Sequence, residues 1–449
     1  MSPPHPPAER EAPEEISLTT SGNDYRQPRR EISRGPAVAC PDCGLLQRLP
    51  AAQPGEIAEC RRCTRVLAGA ATGRVDLPLA LCAAALLLLV PAAIAPLMSV
   101  STYGAHHNSG LSSSAQAIWA DGFPSLGLLI GSCGIGLPVA YLVLVTWVLA
   151  VLHRRQTGPR PGIGSVFRWT KHLRPWVMLE VYLVGCFVAY SRINVVASVD
   201  VGLGGWCLLA STLVMLLALT QLDERTVWEA IPPYISARPG AGESPVTSAV
   251  ADAALVACTV CDLVVHDKSR THCPRCHARM HHRKPDSWRR TTALVIAGYL
   301  LYIPANTLPV LTIVRFGHED PNTILSGVFE LIDNDLWPLA VIIFTASVVL
   351  PLTKLCGLTW MLVGIRQRSA HRLVARTRLY RMIDVVGRWS NIDVFMVGLL
   401  VALLQFGAVT SVHAGNGLVA FAAVVVITMI ATSCFDARLM WDAPGRADG

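Results

Sequence analysis

The stretch LDERTVWE at Leu222–Glu229 returns as FDARLMWD at Phe435–Asp442, and 435 minus 222 is 213. The same offset joins Pro91 and Pro96 to Pro304 and Pro309, and Pro138 and Trp147 to Pro351 and Trp360. It also joins Trp176 and Glu180 to Trp389 and Asp393. A register kept from Cys60 to Trp441 without insertion is the mark of one module written twice in a single chain.

Each copy is membrane-like. The 449 residues are 52% hydrophobic, with mean hydropathy +0.44, too apolar for a soluble globule. Eight runs approach or exceed the roughly 20 apolar residues that cross a bilayer. They lie near 77–98, 124–152, 175–197, 203–221, 291–313, 337–364, 390–408 and 416–434. The run 175–197 is the weakest, because Glu180, Arg192 and Asn194 interrupt it. No apolar signal precedes them: 1–36 is Pro-rich, mixed in charge, and reads as a disordered tail.

Charge orients the spans. The loop 153–174 carries Arg154, Arg155, Arg160, Arg168, Lys171 and Arg174, and its partner loop 366–388 carries a run of arginines from Arg366 to Arg388. The loops 99–123 and 407–415 have no Lys or Arg, and 314–336 has only Arg315. Positive loops stay in the cytoplasm, so both termini and both cysteine clusters are expected there. The copies then share one topology and are not an inverted repeat. The net charge of +7 sits mostly in these loops and argues for anionic lipid headgroups before nucleic acid.

Each copy opens with two CxxC pairs: Cys40, Cys43, Cys60 and Cys63, then Cys258, Cys261, Cys273 and Cys276. CxxC on a tight turn sets two thiolates on one side of a metal, and a second turn completes a tetrahedron. A reducing compartment argues against disulfides. Four thiolates with no open position make a structural site, for which Zn(II) is the expected occupant and a rubredoxin-type iron the alternative. His266, His272, His277, His281 and His282 crowd the second cluster and read as solvent- or headgroup-facing, since four cysteines already satisfy a metal. The remaining six cysteines lie singly in apolar runs, where Cys acts as a small hydrophobe.

The copies differ inside the membrane. Lys354 lies deep in the sixth run where the first copy has Tyr141. A charge there costs on the order of 3 kcal/mol on insertion scales and is kept for a partner or a task. Ser347, Lys354, Ser390, Asp393 and Thr428 could meet as one polar network, with Lys354 and Asp393 as its ion pair. Three readings stand side by side: a structural pair fixing helix register, a protonation switch, and a snorkelling lysine, which its depth disfavours. Glu180 has no obvious lysine partner and reads as a headgroup-level or capping residue.

Cysteine ribbons before four spans, the Pro-x4-Pro ends, the Trp-x3-Glu/Asp element and the Asp-x-Arg-x2-Trp ends, all in duplicate, resemble the paraquat-inducible protein A (PqiA/LetA) family of Gram-negative inner membranes. The resemblance covers Cys40 to Trp441. It implies zinc ribbons, tetraspanin-like four-helix modules, a polar network in the second module at the five positions above, and partnership with a periplasmic MCE-domain protein whose stacked rings form a lipid tunnel. The long Pro-rich tail departs from the family.

The expected architecture is an all-α polytopic membrane protein of two tandem four-helix transmembrane modules, each preceded by a small cytoplasmic zinc ribbon. The expected division is tail 1–36, ribbon 37–70, module 75–230, linker 231–250, ribbon 251–285 and module 288–443. The expected role is non-enzymatic: passing phospholipid or another hydrophobic molecule between the inner membrane and an MCE tunnel, in support of envelope integrity. No GxxxxGK[ST] occurs, so this chain is not expected to hydrolyse ATP. The alternative is a redox protein passing electrons from ribbon iron to quinone, although His413 is isolated and no paired intramembrane histidines could hold haem. A third reading is a scaffold whose ribbons bind a cytoplasmic partner. Nucleic acid is not an expected partner, because the clusters lack interleaved aromatics that stack bases.

Overall fold

The computed structural model describes residues 18–19, 37–49, 57–68, 75–102, 105–154, 162–194, 198–233, 256–265, 271–315, 318–405 and 410–444. The tail 1–36 lies outside these residues except for Leu18–Thr19, which pair with Ile57 and Ala58. Most of the linker 231–250 and His266 also lie outside them.

The 213-residue offset is an offset of structure. The first module holds helices α1 (Asp76–Ile94), α2 (Ser113–Ala120), α3 (Pro124–His153), α4 (Ile163–Leu173), α5 (Leu179–Ile193), α6 (Leu203–Gln221) and α7 (Glu224–Ala230). The second holds α8 (Ser287–Thr307), α9 (Ile324–Asp333), α10 (Trp337–Arg366), α11 (Leu373–Val386), α12 (Ile392–Leu403), α13 (Asn416–Cys434) and α14 (Arg438–Asp442). Adding 213 to both ends of α3 gives both ends of α10, and the same holds for α6 and α13.

The repeated prolines explain two details. Ser132–Gly136 and Thr345–Val349 are single π turns inside α3 and α10, each just before Pro138 or Pro351. Proline lacks the N–H that the preceding turn would accept and its ring crowds the carbonyl four back. The wider turn takes up that conflict, with Leu137 and Leu350 donating to carbonyls five residues back, Ser132 and Thr345. Pro96 and Pro309 come two residues after α1 and α8 end, where proline blocks continuation. These ends pack against the starts of α6 and α13. A Cβ at Gly204 or Gly417 would run into the carbonyl of Ala95 or Leu308, so only glycine lets α1 meet α6 and α8 meet α13 so closely.

Among the described residues, seven helical segments are long and apolar enough to cross a membrane. The eighth place belongs to α8, 21 residues long, whose opening Arg289, Arg290, Thr291 and Thr292 dilute its apolar run. It packs on α13 as α1 packs on α6. Each third span is a bent 31-residue segment, Ile163–Ile193 or Leu373–Leu403, whose first half is basic. The end opposite the cysteine clusters carries two three-stranded sheets absent from the sequence reading. They are β1 (Met98–Thr102), β2 (Ala105–Ser109) and β3 (Ser198–Val201), then β4 (Leu311–Arg315), β5 (His318–Asn322) and β6 (Thr410–Ala414). In both sheets the first strand is central and all pairing is antiparallel.

The modules meet along α5 and α12. Asn391 Nδ2 lies 2.9 Å from Met178 Sδ, and the Tyr182 and Phe395 rings meet edge-on at 5.2 Å. Both are pairs of equivalents, since 391 minus 178 and 395 minus 182 are each 213. At these two positions α5 and α12 therefore meet through matching residues of the two copies. Every residue of α12 is buried. At Gly185 of α5 an added Cβ would lie 3.1 Å from Phe395 Cβ and 3.4 Å from the Ile392 carbonyl. Gly185→Leu is therefore expected to cost about 1–3 kcal/mol by overpacking, read as a lower melting temperature of the detergent-purified protein. An unchanged melt would show that the helices can part at no cost.

Candidate metal centres and intramembrane site

Four knuckles share one geometry. The residue after each CxxC, namely Gly44, Thr64, Asp262 or His277, has positive φ. Its N–H donates to the carbonyl of the first cysteine of that motif, at 2.9, 2.8, 3.1 and 2.9 Å respectively. These turns point the thiols inward. Cys40 and Cys63 approach to 3.4 Å, and Cys43–Cys60, Cys258–Cys276 and Cys261–Cys273 to 3.5 Å. Within each cluster all four sulfurs lie within 4.8 Å of one another and all eight residues are buried. A tetrahedral ion with bonds of about 2.3 Å needs sulfurs about 3.8 Å apart, so the donor set fits a metal held by four thiolates. Among the described residues each cluster is formed by cysteines alone, with no histidine in it.

The clusters cross over. Arg381 of α11, in the second module, donates to Asp42 at 2.5 Å, to the Cys63 carbonyl at 2.9 Å and to Cys63 Sγ at 3.1 Å. Arg62 stacks over Trp441 at 4.7 Å. The second cluster sits instead beneath the first module: Lys171 donates to the Val260 carbonyl at 2.7 Å, and a Cβ on Gly164 would strike the Arg275 carbonyl. Each cluster thus caps the module it does not precede.

The repeated Asp-x-Arg ends anchor this face. Asp223 caps α7 by accepting from the Arg225 and Thr226 N–H groups. Its copy Asp436 accepts from the Arg438 guanidinium, at 2.9 Å to each oxygen, and from the Lys284 N–H. Burial opposes the Asp436 charge, but the Arg438 bonds outweigh it and hold the carboxyl below the usual range.

The five polar positions in the second module are all buried, but they form two groups. Lys354 Nζ lies 3.5 Å from Thr428 Oγ1, with its stem against Gly387, where a Cβ would be 2.9 Å from Lys354 Cε. Ser347 donates to Asp393 Oδ2. The Ser390 hydroxyl and Asp393 Oδ1 are buried without a partner. The expected Lys354–Asp393 ion pair is not present among the described ion pairs. Asp393 is held at Ser347 of α10, whereas Lys354, seven residues further along the same helix, lies against Gly387 and lines the ribbon-side cavity. Glu180 is no capping residue: it meets Arg388 at 2.9 Å, across the module interface. Arg192, also from across that interface, lines the same cavity as Asp393. In the sequence Arg192 reads as a mere interruption; its place in a run otherwise fit for lipid is the available signal.

Two cavities reach these groups from opposite ends. One of about 630 Å³, between the ribbons and the modules, is lined by Arg65, Lys171, Glu224, Asp384 and Arg388 and reaches Lys354. The other, about 270 Å³ at the sheet end of the second module, is lined by Arg192, Glu330, Asn322, Asn334 and mostly apolar residues and reaches Asp393.

Two four-helix membrane modules with a pair of buried four-cysteine clusters, each able to hold a metal ion, define a duplicated polytopic membrane protein. A family profile described as paraquat-inducible protein A matches residues 75–232 and 288–444. The chain belongs to that family. It is 29% identical over 409 residues to the intermembrane transport protein PqiA of Escherichia coli (strain K12), covering 90% of this chain and 95% of that one. It is 30% identical over 417 residues to the lipophilic envelope-spanning tunnel protein A of the same strain, covering 92% and 93%. A probable intermembrane transport protein of Haemophilus influenzae is 26% identical over 427 residues, covering 92% and 98%. No solved structure matches.

Proposed function

We propose that this protein is the inner-membrane component of an intermembrane lipid transport system, passing phospholipid or another hydrophobic molecule to or from the tunnel of a periplasmic MCE-domain protein. The observation that carries the reading is the pair of buried groups, Lys354 with Thr428 and Asp393 with Ser347, each at the floor of a cavity from a different end of the second module. Ionisable groups so placed in a membrane protein serve pathways or coupling. Family membership and the relatives' names, which speak of intermembrane transport and an envelope-spanning tunnel, support the same class. On this reading Ser347, Lys354, Ser390, Asp393 and Thr428 form the working site, with Lys354 and Asp393 changing protonation as the module cycles.

The ribbons lie in the cytoplasm on this reading, as the basic loops direct, and each holds zinc, the ion suited to four thiolates in a closed site. The division into tail, ribbon, module, linker, ribbon and module is part of this reading, and the family matches at 75–232 and 288–444 support its two module spans.

Affinity purification from native membranes, with mass spectrometry of bound protein, lipid and metal, tests all of this. The expected result is an MCE-domain protein, phospholipid and about two zinc ions per chain. A coloured, iron-loaded protein without that partner would replace the lipid reading with the redox one.

A further inference from the structure

We propose that the cavity at the sheet end of the second module binds the headgroup of a phospholipid bearing an ammonium group, with Arg192 taking the phosphate and Glu330 the ammonium. The proposal rests on the lipid-transport reading and names the substrate class of the same module.

The repeat itself points there. In the first module, α12 fills the groove beside α2 and α3. A Cβ on Gly398 would lie 3.2 Å from Ile130, 3.5 Å from Ser114 and 3.9 Å from Ile118. Adding 213 to Ser114, Ile118 and Ile130 gives Gly327, Leu331 and Ile343, and all three line the cavity. The equivalent of Gly398 is Gly185, which faces Ile392, Phe395 and Met396 instead. One groove is therefore filled by a helix, and its copy in the second module stands open.

Charge follows the open copy. Arg192 and Glu330 line the cavity, while their counterparts at the filled groove are Gln405 and Ala117. An arginine inside a membrane module is costly unless it has a task. Arg192 Nη2 donates to the Gly327 carbonyl at 3.1 Å, and the guanidinium has further N–H donors for an anion. A planar guanidinium suits a phosphate, and a carboxylate beside it favours a headgroup that also carries a positive charge. Asp393 Oδ1, buried and without a partner, borders the same cavity and offers a second acceptor. Asn322, Thr323 and Asn334 add neutral polar groups, the rest of the lining, including Leu331 and Ile343, is mostly apolar, and Leu325, Phe329 and Ile332 are exposed on the outer face of α9. About 270 Å³ holds a headgroup and the start of its chains, not a whole diacyl lipid, so the chains extend along the apolar wall.

The test is native mass spectrometry of the detergent-purified full chain, titrated with phosphatidylethanolamine, phosphatidylglycerol and diacylglycerol of the same chains, and with inorganic phosphate as competitor. Phosphatidylethanolamine is expected to bind at least about tenfold more tightly than diacylglycerol. Arg192→Gln brings it to the diacylglycerol level, Arg192→Lys retains it, and Glu330→Gln removes the preference over phosphatidylglycerol. A helix clamp with no ligand role would leave headgroup selectivity unchanged in Arg192→Gln and would overturn the proposal. So would displacement of the lipid by inorganic phosphate, which would make free phosphate the ligand. Wild-type protein that binds no lipid sinks the transport reading as well; unchanged binding in Arg192→Gln sinks only this inference.

Discussion

Lys354→Ala and Asp393→Ala each bring lipid transfer to background, a loss of at least about 100-fold, while expression and metal content stay at wild-type levels. The fold survives because neither residue holds an ion pair to the other. Removing the Lys354 side chain relieves a desolvated charge even as it opens a void beside Gly387, and the two effects oppose each other. The sharper variant is Lys354→Met, which keeps the volume and discards the charge. A residue that served only to set helix register would tolerate methionine and keep transfer. A residue that must gain and lose a proton, or meet a charged intermediate, would not. Transfer measured between donor liposomes containing the protein and an MCE acceptor separates these cases, and full activity of Lys354→Met would end the switch reading.

Much of this was legible in the sequence because it is local. A CxxC turn needs a thiol spacing and a residue that accepts positive φ, both short-range. The 213-residue register needs only two texts to compare, and it carries over to the ends of α3 and α10. What was hidden depends on partners far along the chain. Arg381 reaches Asp42 across 339 positions, and nothing in either neighbourhood announces the other, so the crossing of ribbons and modules could not be read. The same holds for Glu180, whose partner Arg388 comes from the opposite copy. The ion pair failed for a related reason. Lys354 and Asp393 sit on different helices, and sequence fixes their heights only roughly, whereas the structure gives each a hydroxyl partner on its own level. The small sheets escaped because five-residue strands in polar loops lack a long alternating pattern.

That crossing makes the metal sites distinguishable, and Cys60→Ser with Cys63→Ser is expected to loosen the second module, not the first. Metal binding supplies most of the folding free energy of so small a ribbon, about 10–16 kcal/mol in apparent terms for zinc, so losing two ligands is expected to unfold the first ribbon. Arg381 then loses its bonds to Asp42 and to the carbonyl and sulfur of Cys63, and Trp441 loses Arg62. Hydrogen bonds to charged groups contribute about 1.5–3 kcal/mol each, so amide exchange in α11 rises at least about tenfold. Helix α4 keeps its protection, because it is covered by the second ribbon through Lys171 and Gly164. Cys273→Ser with Cys276→Ser gives the mirror result: α4 loosens and α11 does not. Each double variant retains one metal where the intact chain holds two clusters. Hydrogen exchange followed by mass spectrometry, with metal analysis of the same samples, reads both effects together. Loosening that follows chain order, ribbon one with α4 and ribbon two with α11, would refute the crossed docking. Since α11 leads through Gly387 to the Lys354 site, the first ribbon is also the one whose loss should impair transfer before it impairs the first module.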